Sequence, residues 1–286
     1  MQRILSTYRY VNQPLTPEMV SGIAAARIPA IEIFCGVGHF GYASQPAVRE
    51  LAGALHEYGV TLQSLHAPTE RGSGSGVGRG SGVPISISDP ERIRRVDAVD
   101  EVKRALEVAE TIPFRYLVQH MATSRQPIDG RNLDAAFSSL EHLGLFAKHR
   151  GVTIALENTP NEFGSPESLV RFVKETRLND LRFCCDLGHA HIGEGVASAL
   201  ELMRERIIAV HVHDNNGEKD EHLLPFDGTI DWDAALAGIA SVTESPALVL
   251  ELKERSVGAP SLDQIRAAFD KLEKHLDEKG VSAAHS

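Results

Sequence analysis

No stretch of this 286-residue chain reaches the roughly 18 consecutive apolar residues that a membrane-spanning helix needs, so a membrane span is excluded. The N-terminal run MQRILSTYRY lacks an apolar segment followed by a small-residue cleavage site, so no signal peptide is expected. Cysteine is scarce, with only Cys35, Cys184 and Cys185. An odd, sparse set with two adjacent members makes no disulfide framework; it fits reduced thiols and a cytoplasmic location. Surplus cations are lacking too: 29 Lys and Arg stand against 39 Asp and Glu, a formal net charge of −10, which argues against a dedicated polyanion binder. Apolar material is not lacking. A hydrophobic content of 42% gives the chain enough to bury and excludes wholesale disorder.

Short apolar runs alternate with longer amphipathic stretches eight times. The runs are Ile4–Tyr8, Ala30–Phe34, Val60–Leu65, Arg115–Gln119, Val152–Leu156, Arg182–Cys185, Ile207–Val212 and Ala247–Leu250. Several are rich in Val, Ile or Leu, as parallel strands covered on both faces are. The stretches between them open with helix-start signals. Thr16-Pro17, Asp89-Pro90 and Ser165-Pro166 each place a side-chain acceptor at the N-cap and Pro just inside. Asp231 opens another helix, and Ser261-Leu262-Asp263-Gln264 spells a capping box. Gly151 after Lys148-His149-Arg150 suits a helix C-terminus. Strands alternating with helices imply a parallel sheet with right-handed crossovers. Eight units of about 36 residues predict an α/β fold, a closed (β/α)8 TIM barrel forming one domain over residues 1–286, with an open doubly wound sheet as the structural alternative.

One segment breaks the rhythm. Residues 69–88 contain RGSGSGVGRGSG, which cannot pack a core and reads as a surface loop or an active-site lid. Two glycine patterns are decoys. Gly36-Val37-Gly38-His39-Phe40-Gly41 spells G-x-G-x-x-G, but the helix after it opens later, near Pro46, and the acid at the expected offset, Glu57, lies inside that helix. The run at 72–82 has no G-K-[ST] and is not a Walker loop.

The chemistry lies at the strand ends. The second strand ends near Glu32, the third at His66 and the fourth at His120. The fifth ends at Glu157. The sixth gives Asp186 and then His189, the seventh His211, His213 and Asp214, and the eighth Glu251. In a parallel barrel these C-terminal ends share one face, where such enzymes build their sites. Glu32, Glu157, Asp186 and Glu251 converging without a cation would cost several kcal/mol per uncompensated charge. A divalent metal removes that cost, and mixed carboxylate and imidazole donors suit Mn, Zn, Co or Fe, whereas all-oxygen sets suit Mg. Glu157, Asp186, His211 and Glu251 could surround one ion. His66 and His120 could reach a second ion sharing Glu157, and His189, Asp220 and His222 could hold a third.

The ordered set SLH, VQH, LENT, CDLGHAH, HVHDN, KDEH, FDGTIDW and LEL, spanning nearly the whole chain, resembles the xylose isomerase-like TIM barrels, also called apurinic/apyrimidinic endonuclease family 2. The resemblance implies two chemistries. In the sugar epimerases of this superfamily one Mn²⁺ is held by Glu, Asp, His and Glu, matching Glu157, Asp186, His211 and Glu251. There the two glutamates are also the acid–base pair, and the His three residues after the Asp, here His189, contacts substrate. In endonuclease IV, a trinuclear zinc enzyme, the ligand types match His66, His120, Glu157, Asp186, His189, His211, Asp220, His222 and Glu251. This chain departs from endonuclease IV in reading His211-Val212-His213-Asp214 where that enzyme has His-Leu-Asn-Asp. It departs from the sugar phosphate isomerase/epimerase members in carrying Phe226-Asp227-Gly228 where they have Gly-x-Gly.

The reading that follows is a divalent-metal-dependent sugar, sugar phosphate or inosose isomerase or epimerase. Protons would move through an enediolate that the metal (Mn, Zn, Co or Mg, one ion favoured and up to three accommodated) stabilises. Glu157 and Glu251 would be the catalytic acid–base pair, since epimerisation takes the proton from one face and returns it on the other. His66, His120, His189 and His213 would bind substrate hydroxyls or relay protons. The partner is a small carbohydrate, with no membrane and with homo-oligomerisation left open. The alternative is a trinuclear-zinc phosphodiesterase. The loop Cys35–Ser44 offers no Lys or Arg for DNA, although Arg71, Arg79, Arg125, Arg131 and Lys219 stand in other loops. A metal-stabilised sugar-binding barrel without activity is a third, non-enzymatic reading. Trp232 reads as packing or pocket wall, Lys253 shares a strand face with Glu251, and Cys184 and Cys185 read as small buried apolar residues. Residues after 280 read as a frayed tail.

Overall fold

A strand that is apolar on both faces must be covered on both, and this chain covers its strands by closing them on one another inside a ring of helices. The computed structural model describes residues 2–72, 82–123, 129–254 and 258–278. The strands are β1 (Arg3–Ser6), β2 (Ala30–Phe34), β3 (Thr61–His66), the short β4 (Glu70–Arg71) and β5 (Val83–Pro84), β6 (Tyr116–His120), β7 (Thr153–Glu157), β8 (Arg182–Asp186), β9 (Ile207–Val212) and β10 (Ala247–Leu250). Eight of them form a closed parallel barrel in the order β1-β10-β9-β8-β7-β6-β3-β2, and β4 and β5 pair antiparallel outside it. The expected TIM barrel is the observed fold.

The helices between strands are α1 (Pro17–Ala25), α2 (Gln45–Tyr58), α3 (Arg92–Glu107), α4 (Gly130–Lys148), α5 (Pro166–Thr176), α6 (Leu187–Ile192), α7 (Val196–Met203), α8 (Trp232–Ala240) and α9 (Leu262–Glu278). Thr16, Ser165 and Asp231 accept from the backbone N–H groups of Met19, Ser168 and Ala234, as their N-cap positions require. Ser261 and Gln264 exchange the reciprocal bonds of a capping box, at 2.8 and 3.2 Å. Two local expectations are corrected. The first strand stops at Ser6, because Thr7–Tyr10 turn into a 3₁₀ helix whose start the Ser6 side chain caps. Asp89-Pro90 does not cap a helix; Asp89 accepts from the Glu91 N–H in a local turn, and α3 begins at Arg92. The last glycine of the 36–41 pattern precedes α2 by several residues, so no helix N-terminus opens inside it. Of the glycine-rich segment, residues 73–81 lie outside the described residues, as do Arg79, Arg125 and the stretch after 280; its flanks form β4 and β5.

Outward-facing Leu5, Ile31, Ile33, Leu65, Leu117, Leu156 and Phe183 pack the main core under the helices. Inward-facing residues form a separate floor. Ala30, Val118, Ala155, Cys184, Ala209 and Val249 fill the barrel interior. Each lies two residues before a polar side chain, Glu32, His120, Glu157, Asp186, His211 or Glu251 in turn. The period-2 alternation of a strand therefore puts all six on the same inward side, one step above a floor of mostly small side chains.

Candidate metal centre

Two irregularities adjust the register of this ring. Between β2 and β3 the pairing jumps from Ile31↔Leu62 to Glu32↔Ser64. Between β8 and β9 it jumps from Phe183↔Ile207 to Cys184↔Ala209, which sets Asp186 beside His211. Such bulges re-aim side chains next to functional sites.

Glu157 is the hub. It is 1% exposed. Its Oε2 lies 3.1 Å from His66 Nε2 and 2.9 Å from His120 Nε2, and its Oε1 lies 3.1 Å from His211 Nδ1. The same His211 nitrogen is 3.6 Å from Glu251 Oε2 and 3.7 Å from Asp186 Oδ2. On the other side Asp186 Oδ2 meets His213 Nε2 at 3.0 Å, and Asp220 Oδ2 meets His222 Nε2 at 2.9 Å. Three groups follow, in each of which one donor atom per residue falls within 4.8 Å of the others: His66, His120 and Glu157; Glu157, Asp186, His211 and Glu251; and His213, Asp220 and His222. His213 joins Asp220 and His222 in the third group, its Nε2 3.9 Å from Asp220 Oδ1, and His189, expected there, also stands within reach of Asp220. The His189 ring is held through Nδ1 to the Asn158 carbonyl at 2.9 Å, which leaves its Nε2 3.7 Å from Asp220 Oδ2.

The donor chemistry fits divalent cations. Three buried carboxylates, Glu157, Asp186 and Glu251, meet with imidazoles rather than with Arg or Lys, and Asp220 Oδ1 and His213 Nδ1 are buried without a hydrogen bond. Without a cation the imidazoles must carry the positive charge. Burial alone would push the Glu157 carboxyl up, but His211 and His120 overcome it and hold it well below the usual carboxylate range. Burial opposes protonation of His189, yet Asp186, Asp220 and Glu157 raise its imidazole to about 10. His120 moves down, because burial and its neighbours His66 and His189 outweigh Glu157.

Asn158 and Asp214 do structural work; the sequence places Asp214 at a strand end without showing that role, and does not single out Asn158. Asn158 exchanges two bonds with the Asp186 backbone, accepting from its N–H at 2.7 Å and donating to its carbonyl at 2.9 Å. Asp214 ties down the loop that carries Asp220 and His222. Its Oδ1 accepts from the N–H groups of Asn215 and Ile230, and its Oδ2 from the Phe226 N–H and the Trp232 indole. Trp232 is thus a strut of that loop. The Phe226-Asp227-Gly228 departure is accommodated by backbone strain. Phe226 takes a left-handed φ of 72°, a conformation that favours glycine, with its ring packed on Trp232 and under the Lys271 ammonium. The available signal for these residues was the Asn following Glu157 and the Asp following His213, each immediately after a buried polar residue.

A cavity of about 670 Å³ opens over the centre. Glu157, His189, Asp220, His222 and Glu251 line it together with the apolar Tyr8, Phe34, Pro84, Ile85 and Ile87. That size suits a small organic ligand. Lys253 is half-buried beside Glu251 and does not line the cavity. Cys184 and Cys185 are buried in strand β8.

Carboxylates and imidazoles are thus gathered at the C-terminal mouth of a closed parallel barrel. The chain belongs to the xylose isomerase-like TIM barrel family, whose model matches residues 23–275. It is 27% identical to the uncharacterised protein MJ1311 of Methanocaldococcus jannaschii over 285 residues, covering 96% of this chain and 92% of that one. Among solved structures it is similar to a D-tagatose 3-epimerase-like protein, with a TM-score of 0.80 and 26% identity over 99% of this chain and 100% of that one. It shares its fold with a D-psicose 3-epimerase from Clostridium cellulolyticum H10, crystallised with D-tagatose, with a TM-score of 0.77 and 18% identity over 96% and 99% of the two chains.

Proposed function

We propose that this protein is a divalent-metal-dependent sugar isomerase or epimerase acting by proton transfer beside a carbonyl. The observation that carries the reading is the meeting of Glu157, Asp186, His211 and Glu251, one from the end of each of four consecutive barrel strands, beneath a cavity sized for a small ligand. The similarity to a D-tagatose 3-epimerase-like structure supports a ketose substrate. A divalent ion held by those four residues would polarise a carbonyl and its neighbouring hydroxyl, lowering the cost of removing the proton between them. The chain's own groups do the rest. Glu157 and Glu251 reach the centre from separate strands, β7 and the end of β10, and act as proton acceptor and donor on the two faces of the substrate. His66 and His120 hold the Glu157 carboxylate in place, and His189, which lines the cavity, donates a hydrogen bond to a substrate hydroxyl, whereas His213, expected to reach substrate, is buried away from the cavity against Asp186. Tyr8 and Phe34 exclude water from the apolar side.

The test is turnover of a panel of ketohexoses and inososes by Glu157→Gln and Glu251→Gln, with circular dichroism as the control for folding. Loss of turnover in both variants is expected, and normal rates in both would overturn the acid–base assignment. A second reading, a phosphodiesterase with three ions, rests on the grouping of donors into three sets joined through Glu157 and Asp186. About one Mn, Co or Mg per chain in freshly purified protein supports the isomerase reading. About three Zn per chain with cleavage of abasic-site DNA supports the other.

A further inference from the structure

Glu32 is a buried carboxylate that the chemistry described so far does not use. It sits in the middle of β2, whose five residues are all buried, and is itself 0% exposed. A charge there needs partners, since an unpaired buried carboxylate costs several kcal/mol. Two are present. Ser64 Oγ donates to its Oε2 at 2.8 Å. His211 Nε2 lies 3.4 Å from Oε2 and 3.2 Å from Oε1. The β2–β3 register shift at Ile31/Glu32 is what places Ser64 opposite Glu32. The opposite nitrogen of the same imidazole, Nδ1, faces Glu157, Asp186 and Glu251. His211 therefore spans two carboxylate environments, one that shares the centre and one that does not.

An imidazole can ligate a cation only through a nitrogen without a proton, so its other nitrogen must carry one, and whatever accepts that proton selects the tautomer and the ring orientation. We propose that Glu32 is a positioning residue that holds the Nε2 proton of His211, so that Nδ1 is presented to a divalent cation at the Glu157–Asp186–His211–Glu251 group. The inference rests on the metal reading of that group but not on the identity of the sugar. Glu32 is anchored from behind by Ser64, over a floor that includes Ala30 and Ala209. Its carboxylate thus has little freedom to follow a displaced ring. Glu32→Gln keeps the size and the Ser64 bond but turns a donor toward Nε2, which favours the tautomer with the proton on Nδ1, the wrong nitrogen for binding.

The experiment titrates chelator-stripped protein with Zn²⁺ and Mn²⁺ against a competing chelator and reads thermal melting of the same metal-free samples. Glu32→Gln is expected to weaken metal affinity 10–100-fold, the range typical for such partners, in metal-free samples that still melt cooperatively from a folded state. Glu32→Asp, which keeps the charge at a longer reach, is expected to recover part of the affinity. Zn²⁺-loaded wild-type protein gives a second measurement that needs no variant: long-range ¹H–¹⁵N correlation is expected to show His211 bound through Nδ1 and protonated at Nε2. Affinity within threefold of wild type in Glu32→Gln, or His211 bound through Nε2, would overturn the role of Glu32. Wild-type protein that binds neither ion would overturn the metal centre as well, and inactivity toward ketoses with normal metal binding would count against the proposed reaction alone.

Discussion

Removing the Asp214 carboxylate should unfasten the loop after β9. Asp214 is 0% exposed and accepts four hydrogen bonds: from Asn215 N–H at 2.9 Å, Ile230 N–H at 3.1 Å, Phe226 N–H at 3.1 Å and Trp232 Nε1–H at 2.7 Å. Asp214→Ala leaves all four donors without that acceptor. A buried donor stripped of its partner costs about 1–3 kcal/mol, and hydrogen bonds to a charged group lie at the upper end. The simple sum of about 4–12 kcal/mol overstates the loss, because the loop can move and admit water. A net cost of about 3–5 kcal/mol is the expectation, which falls among the large values for single substitutions. Asp214→Asn keeps one acceptor oxygen and turns an NH₂ group toward two donors, so about 2–3 kcal/mol is expected. Trp232→Phe removes one donor and leaves Asp214 its three backbone bonds, for about 1 kcal/mol. Urea denaturation of chelator-treated protein gives the ordering. A loss below about 1 kcal/mol for Asp214→Ala, or a larger loss for Trp232→Phe than for Asp214→Ala, would refute the view that this carboxylate holds the loop.

Gly188→Ala should push His213 out of place, because an added Cβ would stand 2.7 Å from its Nε2 and closer still to Cε1 and Nδ1; a cost of about 1–3 kcal/mol and a lower ion count by elemental mass spectrometry are expected. Metal-free protein should lose stability as pH rises. His189, raised from 6.5 to about 10, contributes stability that is complete below pH 6.5 and lost as pH passes through 10, so a melting temperature that does not fall over that window would contradict the assignment. The three cysteines should resist a thiol reagent at pH 8 until the chain is unfolded, since all are buried and burial pushes the Cys184 thiol up to about 12; labelling of the native protein would contradict their packing.

The barrel was legible because its strands are short apolar runs with one inward polar residue near the end, and the capping residues Thr16, Ser165, Asp231 and Ser261 mark where helices start. What local pattern could not resolve was the fate of a polar side chain once the backbone turned. Ser6 reads as strand but caps a 3₁₀ turn, and Asp89 reads as a helix cap but closes a turn two residues early. Among the strand-end residues, position alone brings His66, His120, Glu157, Asp186, His211 and Glu251 to one mouth. It could not tell that His189 and His213 both stand near Asp220, at 3.7 and 3.9 Å, because that depends on the Asn158 carbonyl holding one ring and Asp186 the other. Nor could it reveal Asp214 as a hub, since three of its four partners are backbone N–H groups, which carry no residue signature.

The ring of donors, with one side chain from each strand running from β3 round to β10, also bears on how the molecule folds. The first of these residues, His66, and the last, Glu251, approach one another only when nearly the whole chain has been wound and the seam between β1 and β10 has closed. No fragment short of the final strand holds the complete centre. A ligand that binds only the closed ring favours it by RT ln(1 + [L]/Kd), about 4 kcal/mol at a thousandfold excess over Kd. That free energy acts late, on the least local contacts of the fold, and bears most strongly on the rate at which the finished barrel reopens. A cation at the mouth would thus serve the protein as a clasp, with its hold on the closed state set by the concentration of the ion in the cell.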